Sequence, residues 1–297
     1  MRHIRAQSAM EYLMTYGWAI LIIAVVLAVL FSLGIFNANT YGGRAHAGSC
    51  TVQRPYGPNT TQLVSLSGLC NGQMPQFVGY FNGNGYITVG GSGSFGFDIS
   101  NPFSISAWIK PGMAAPQWNP IFSKDSDGAD NGYYVDVRPV NSIEFAIKAG
   151  GAFYTVDSNT VVNDNTWRFV TVTYDGSGNK AGMRVYINGV LENTGASAAM
   201  SGSATNTDNA IIGAFNGGVL PIGGQFSNVQ LYSSALSAND VGALYLEGIG
   251  GAPISLQSLA GWWPLNGDGV DYSGNGDNGA ISNVIWTSQW TNGYTQP

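Results

Sequence analysis

Residues 224–245 read GQFSNVQLYSSALSANDVGALY, and this stretch decides the fold. Its first half contains the pattern Phe-x-x-Val-x-Leu-Tyr at 226–232, whose aromatic and β-branched residues favour a strand. Ser237 and Asp240 follow with the spacing of a helix N-cap, and apolar residues come directly after them. The stretch therefore predicts a β-strand that leads into one short helix.

Short β-runs separated by turn signals fill the centre of the chain. One run, 103–109, alternates small polar and apolar side chains, and another, 169–174, reads FVTVTY. The run at 184–187 ends at an Asn-Gly pair (188–189) and is followed by a second apolar run. Asn-Gly between two such runs is the strongest short-range signal for a β-hairpin. Many short strands with turns between them are typical of a β-sandwich.

Four of these stretches resemble the laminin-G-like family, of the concanavalin A-like jelly-roll type. They are FSISAWIKP (103–111), WRFVTVTYDG (167–176), MRVYINGVLENT (183–194) and residues 224–245. The resemblance covers most of residues 77–248, and it implies two antiparallel sheets packed face to face. The expected fold class is thus an all-β jelly-roll sandwich joined to one long N-terminal hydrophobic helix, in an α+β arrangement.

The order of the C-terminal segments departs from this family pattern. AGWWPLNG (260–267) and DYSGNGDNG (271–279) resemble the segment that normally begins such domains, but here they follow a link at 249–260. One explanation is circular permutation, in which residues 261–297 fold back and complete the same sandwich, since domain termini often lie close together. The alternative is strand exchange, in which residues 261–290 complete the sandwich of a neighbouring copy.

Composition excludes one class of partner and suits a surface protein. Charged residues make up 9% of the 297 residues, and 42 residues are glycine. Ordinary globular chains carry about 25% charged residues and about 7% glycine. The net charge is −6 and no basic cluster stands out. Because nucleic-acid binding rests on Lys and Arg contacts to phosphate, we predict no nucleic-acid partner.

The first 36 residues combine a short basic segment with a long apolar run. Residues 1–6 read MRHIRA, and the uncharged run GWAILIIAVVLAVLFSLGIF occupies 17–36. As a helix, that run is long enough to span a hydrocarbon core of about 30 Å. Ala6, a small residue of the kind found at cleavage sites, lies before the run rather than after it. Cleavage there would leave the hydrophobic helix on the mature protein.

This pattern resembles the class III signal peptides of archaeal type IV-like pilins and archaellins. The resemblance implies that a prepilin-peptidase-type enzyme cuts between Ala6 and Gln7, which leaves a pilin-type helix at 7–36. It also implies that Glu11 pairs with the new N-terminal ammonium of Gln7 during assembly of a homopolymeric filament. The precursor would reside in the cell membrane and the product in an extracellular surface filament. The alternative is an uncleaved signal anchor.

Residues 37–76 read as a linker, because they mix Gly, Pro, Asn and Thr with little periodicity. Cys50 and Cys70 are the two cysteines, and in a secreted chain we expect them to form a disulfide. The alternative is two unpaired thiols. Asn59 begins an Asn-Thr-Thr sequon inside that loop and is a candidate glycosylation site.

Two loops contain enough oxygen ligands for a calcium ion. Calcium takes six to eight oxygens from carboxylates, amides and carbonyls, and neither loop has EF-hand spacing. The alternative for both is a polar turn whose side chains cap backbone N–H groups. The first loop offers Asp271, Asn275, Asp277 and Asn278, and the second offers Asp125, Asp127, Asp130 and Asn131.

The sequence gives no support for catalysis. Both histidines, His3 and His46, lie outside the expected sandwich, and Glu144, Glu192 and Glu247 show no strand-paired acidic motif. We therefore predict that the protein is not an enzyme. The tryptophans are expected mainly in the core, with Trp118 the most exposed, and they assign no carbohydrate site.

The predicted function is that of a structural pilus subunit. The helix would form the filament core, and the sandwich would be displayed on the surface for adhesion or cell contact. The alternative is a membrane-anchored or pilus-tip adhesin that binds glycan or protein ligands through the laminin-G-like domain.

Overall fold

The computed structural model describes residues 16–29, 50–53, 65–68, 74–91, 93–112, 117–125, 131–162 and 164–297. The chain divides into two compact units, Met1–Gly43 and Arg44–Pro297.

In the first unit, residues 16–29 form an α-helix whose side chains are exposed. This helix lies inside the range 7–36 for which the sequence predicts one. Within the described part of the chain, no helix is long and apolar enough to cross a membrane. The leader, with Ala6, Gln7 and Glu11, lies outside the described residues, so processing and filament assembly stay predictions.

The second unit is built of β-strands with one α-helix, α1 (Ala238–Glu247). The strands are β1 (Cys50–Gln53), β2 (Ser65–Gly68), β3 (Val78–Val89), β4 (Phe103–Pro111), β5 (Asn119–Lys124), β6 (Gly132–Val137), β7 (Ser142–Ala149), β8 (Ala152–Val161), β9 (Arg168–Tyr174), β10 (Met183–Ile187), β11 (Val190–Thr194), β12 (Ala210–Ile212), β13 (Gly223–Tyr232), β14 (Leu259–Trp263) and β15 (Ala280–Thr287).

Thirteen of these strands form one antiparallel ladder that folds back on itself as a sandwich. Eleven follow the order β11-β10-β9-β4-β13-β3-β12-β5-β6-β7-β8, while β14 pairs with β13 and β15 with β3. The two ends of the ladder approach each other, because β8 contacts β10 and β11 without pairing with them. A core of apolar side chains from both halves fills the space between. The predicted all-β jelly-roll sandwich is thereby confirmed.

Aromatic residues dominate that core. The rings of Phe81 and Phe226 lie 4.7 Å apart, and the ring of Phe103 lies 4.7 Å from that of Tyr133. Each of these side chains is fully buried. Burying one such side chain contributes roughly 1.5–3 kcal/mol, so a few of them hold the two faces together.

The local signals in the sequence form the predicted elements. β10 and β11 pair across Asn188 and Gly189, and both of these residues have positive φ angles (50° and 79°), as a type I′ turn requires. Ser237 caps α1: its hydroxyl accepts from the backbone N–H of Asp240 (3.2 Å), and its own N–H donates to the Asp240 carboxylate (3.0 Å). This is a complete capping box.

The C-terminal strands pair within the same chain. Residues of β14 lie opposite β13, with Trp262 facing Gln230, and β15 runs antiparallel to β3 along most of its length. Trp262 and Trp263 are both buried. The segment after the 249–260 link thus contributes two strands to the sandwich of its own chain. This is the arrangement expected of a circular permutation.

The region read as a linker contains structure of its own. β1 and β2 form an antiparallel pair, and the backbone N–H of Val52 donates to the carbonyl of Tyr272 (3.0 Å). Cys50 and Val52 are buried against the sandwich, so part of 37–76 belongs to the folded domain. Cys70 and Asn59 lie outside the described residues, and the disulfide and the glycan stay predictions.

Candidate ligand-binding groove

The outer face of β6 and β7 carries polar residues that are nevertheless buried. Side chains alternate along β6, so Tyr133 and Val135 point into the core while Tyr134 and Asp136 lie on the opposite face. Tyr134 and Asp136 are as buried as the core residues. A second small cluster covers this face, in which Phe215 and Ala146 pack with Tyr134. The face therefore forms the floor of a groove rather than an open surface.

Three carboxylates from neighbouring strands line up across this floor. Asp136 of β6 lies directly opposite Glu144 of β7, and Glu144 lies directly opposite Asp157 of β8. Arg138, just after β6, forms an ion pair with Asp157, and its Nε lies 3.7 Å from the Glu144 carboxylate. The hydroxyl of Tyr134 donates to Glu144 at 3.4 Å. One guanidinium thus contacts two of these three acidic side chains.

Asp136 stands out because it lacks partners. It is 0% exposed, and neither carboxylate oxygen has a hydrogen-bond partner among the described residues. An unsatisfied buried polar group costs roughly 1–3 kcal/mol, and more when it is charged. Buried polar groups without a hydrogen-bond partner are uncommon in folded proteins, so Asp136 makes this face a candidate site.

The walls of the groove are aromatic. The groove has a volume of about 340 Å³. The Phe215 ring packs edge-on against Tyr134 with centroids 5.3 Å apart, and the Arg138 guanidinium lies 5.3 Å from the centre of the Trp118 ring. The residues that line the groove are Trp118, Tyr134, Asp136, Glu144, Phe153, Thr155 and Phe215.

Burial and mutual repulsion perturb the ionisation of this cluster. Burial, followed by the nearby Asp157 carboxylate, raises the pKa of Glu144 to about 7, while Arg138 opposes the rise. Burial, and then the Glu144 carboxylate, raises the pKa of Asp136 well above its usual value. Burial and the neighbouring acidic groups also raise the pKa of Tyr134. Perturbed ionisation of several groups in one cleft is typical of functional sites.

The expectation that the glutamates are scattered without a strand-paired acidic motif is wrong for Glu144. Its two carboxylate neighbours are aspartates on adjacent strands, and register across a sheet cannot be read from one sequence. Glu192 has a structural role: its carboxylate accepts from the backbone N–H groups of Asn159 (2.7 Å) and Thr160 (2.8 Å), which ties β11 to β8. Glu247 is exposed on α1.

The first candidate calcium loop is a network of internal hydrogen bonds. The Asp271 carboxylate accepts from the backbone N–H of Trp262 (3.0 Å), Ser273 (2.8 Å), Gly276 (3.1 Å) and Asp277 (3.1 Å), and from the Ser273 hydroxyl (2.8 Å). These five bonds occupy the oxygens that a cation would need. The arrangement is the one expected of the alternative, a turn whose side chains cap backbone N–H groups.

The remaining residues of that loop are engaged in a similar way. Asn275 donates to the carbonyls of Leu259 (3.1 Å) and Ala260 (2.6 Å), and Asn278 accepts from the N–H of Asp271 (3.0 Å). The Asp277 carboxylate accepts from Ser94 (2.8 Å), and burial raises its pKa. Calcium binding here stays a prediction with a competing structural role.

The second candidate loop is described in part. Asp125 is fully buried, and the Asn131 side chain accepts from the N–H of Gly151 (3.2 Å). Asp127 and Asp130 lie outside the described residues. In the part of the chain that the structure describes, no group of three or more His, Cys, Asp and Glu residues is arranged to hold a metal ion.

Comparison with protein families defines the class of this domain. The model of the concanavalin A-like lectin/glucanases superfamily, of the laminin G type, matches residues 81–242. The match covers more than half of the chain, and the protein belongs to this superfamily. No curated protein matches the sequence.

Solved structures that are similar to this chain come from several organisms. A proposed carbohydrate-binding protein from Bacteroides ovatus is similar with a TM-score of 0.53 and 21% identity, over 75% of this chain and 63% of that one. The present chain therefore spans under two thirds of the length of that protein. A pentraxin from Limulus polyphemus gives a TM-score of 0.45 and 15% identity, over 68% and 94% of the two chains. The CBM40 module of a Ruminococcus gnavus sialidase gives 0.43 and 16%, over 59% and 99%.

Proposed function

We propose that this protein is a surface-displayed, non-catalytic adhesin that binds glycans in the groove over β6 and β7. The observation that carries the proposal is the combination of an aromatic wall with a buried, unpartnered carboxylate in the floor. Sugars present apolar C–H faces that pack on aromatic rings, and hydroxyl groups that donate hydrogen bonds to carboxylates. Membership of a superfamily that includes lectins supports the same reading.

Trp118 and Phe153 are the side chains best placed to contact a sugar ring. Both line the groove, and neither is fully buried, so each retains apolar surface that a ligand can cover. Phe215 and Tyr134, by contrast, are buried and support the floor. A few aromatic anchors of this kind generally carry most of the energy of an interface.

A glycan array with the full chain tests this proposal. We expect binding to a defined set of oligosaccharides, and a loss of roughly 30-fold in affinity in the Trp118→Ala variant, as for an aromatic anchor worth about 2 kcal/mol. Tyr80→Ala is the matched control, because Tyr80 is a partly exposed aromatic on β3 that does not line the groove. Equal loss in both variants, or binding that survives Trp118→Ala, would place the glycan elsewhere.

Paired carboxylates in a cleft also occur in glycosidases, so the same oligosaccharides should be followed for cleavage. We expect them to remain intact after long incubation with the protein, as measured by chromatography. Cleavage that disappears in Glu144→Gln would replace the binding role with hydrolysis.

A second candidate role, that of a filament subunit, is favoured by the N-terminal pattern of Ala6, Gln7, Glu11 and the apolar run 17–36. The two roles are compatible, because a filament can display the domain. Mass spectrometry of the mature N-terminus and electron microscopy of cells test it: a product beginning at Gln7 and filaments containing this chain are expected. An intact Met1 with no filaments would favour a membrane-anchored adhesin. Reduced filament yield from Glu11→Ala would support the assembly role of Glu11.

A further inference from the structure

We infer that the groove recognises a sugar that carries a protonated amine, rather than an acidic sugar. The inference rests on the proposed glycan-binding function and specifies its substrate class. It follows from three features of the floor: its charge, its missing hydrogen-bond donors, and the aromatic rings around it.

The floor is rich in acidic groups, two of which hold protons more tightly than usual because they are buried. Asp136, Glu144 and Asp157 lie in register on three adjacent strands. Arg138 contacts Glu144 and Asp157, and a second cation, Lys148, lies further along β7. Asp125 lies near enough to Tyr134 to raise its pKa, which adds a further acidic group at this end of the sheet. A ligand carboxylate placed over this floor would be repelled at short range, where a low dielectric strengthens charge interactions.

The carboxyl oxygens of the floor receive few hydrogen bonds. Both oxygens of Asp136 are unpartnered among the described residues, and Glu144 receives a long 3.4 Å hydrogen bond from Tyr134. A terminal nitrogen of Arg138 pairs with Asp157. The Nε of the same guanidinium lies 3.7 Å from the Glu144 carboxylate, which is too far for a hydrogen bond. An ammonium group supplies three donors and a positive charge at one point, which is what these oxygens lack.

The aromatic walls favour a sugar ring above the floor. Arg138 already lies 5.3 Å from the centre of the Trp118 ring, and Lys148 lies 4.9 Å from that of Phe153. Each of these rings thus already has a cation of the protein near it, so the rings offer C–H packing to the sugar and the carboxyl groups of the floor offer the place for its ammonium. The edge of an amino sugar could meet the acidic floor while its C–H face packs on these rings.

Binding of such a cation would change the protonation of the floor. The folded protein holds a proton near Glu144 up to a pH of about 7, because burial and Asp157 raise its pKa. The groups that face Glu144 are Tyr134 and Asp136 on β6, Arg138 after it, and Asp157 on β8. An ammonium beside the carboxylate favours its ionised form and lowers its pKa, so the ligand should displace a proton.

Calorimetric titration of the full chain with two sugars of the same backbone tests the inference. The probes are a β-1,4-linked glucosamine trimer and its fully N-acetylated form, at pH 6.0 and 0.15 M salt. An amine of this kind titrates near the α-amino value of about 7.7–8.0 and is already protonated at that pH. We expect the glucosamine trimer to bind at least about tenfold more tightly, with release of a proton detected as buffer-dependent heat.

Asp136→Asn and Glu144→Gln are the diagnostic variants, because each removes a carboxyl group that can ionise beside the ligand and keeps the side-chain size. Each should reduce the preference for the amine at least about fivefold, while Glu247→Gln, on the exposed face of α1, should leave it unchanged. A preference that survives both diagnostic variants reflects general attraction to a chain of net charge −6 and overturns the inference. Circular dichroism checks that each variant is folded.

The outcomes separate this inference from the proposed function. If neutral oligosaccharides bind as tightly as the amine and depend on Trp118, the amine specificity is wrong and glycan binding stands. If acidic oligosaccharides bind best, the charge argument is wrong. If no glycan of any class binds, the proposed function fails and this inference fails with it.

Discussion

Replacing Glu144 with Gln should remove a large part of the pH dependence of stability. The pKa of this carboxyl rises from its usual 4.5 to about 7 in the folded protein, chiefly through burial. The folded state then keeps a proton that the unfolded chain releases between these two values. The free energy of unfolding therefore falls as the pH rises through this window, by at most about 3.5 kcal/mol at about 1.4 kcal/mol per pH unit. The nearby Arg138 already limits the rise of this pKa. In Glu144→Gln the side chain at this position cannot ionise, so this loss of unfolding free energy should disappear.

Urea denaturation at pH 5 and pH 8 measures this effect in the wild-type chain and in Glu144→Gln at matched ionic strength. The wild type should lose up to about 3 kcal/mol more than the variant between the two pH values. Glu247→Gln is the control, because that glutamate is exposed and should leave the wild-type pH dependence intact. The same loss in the wild type and in Glu144→Gln would refute the assignment of the perturbed ionisation to Glu144.

Three further predictions concern the stability of the folded chain. Asp271→Ala should destabilise the fold by roughly 3 kcal/mol or more, because five donors lose their acceptor, as measured by thermal unfolding; a calcium-dependent melting temperature in the wild type would instead indicate a metal site. Ser237→Ala should cost about 1 kcal/mol in urea denaturation through loss of the helix cap, and no change would show that the cap is dispensable. Non-reducing peptide mapping should recover a Cys50–Cys70 pair, and its reduction should cost about 3 kcal/mol for a loop of this length.

The fold was accessible from the sequence because its signals are local. The Asn-Gly turn at 188–189 adopts the two positive φ angles that this pair favours, and Ser237 with Asp240 forms the capping box that their spacing predicts. Strand periodicity likewise located β4, β9 and β10 to within one or two residues. Each of these elements is decided by the conformational preferences of a few neighbouring residues.

The groove was not accessible from the sequence, for an equally physical reason. Asp136, Glu144 and Asp157 become neighbours through strand register, and register depends on pairings that separate segments make only after folding. One local signal was available: Asp136 interrupts an otherwise apolar and aromatic strand. Tyr133 and Tyr134 fall on opposite faces of this strand, which indicates that the outer face is covered as well, as Phe215 and Trp118 cover it here.

Two buried aspartates in this chain show how structural and functional carboxylates differ. Asp271 and Asp136 are both withdrawn from water, yet Asp271 accepts five hydrogen bonds and Asp136 accepts none from the described residues. Five donors can offset the loss of hydration of a charge, so Asp271 stabilises the loop that joins β14 to β15. Asp136 has no such compensation and destabilises the sheet in which it lies. A ligand that donates hydrogen bonds to Asp136 would replace the hydration that this carboxyl group lost on folding. Because the free protein lacks these bonds, forming them on binding would contribute to the affinity for the ligand.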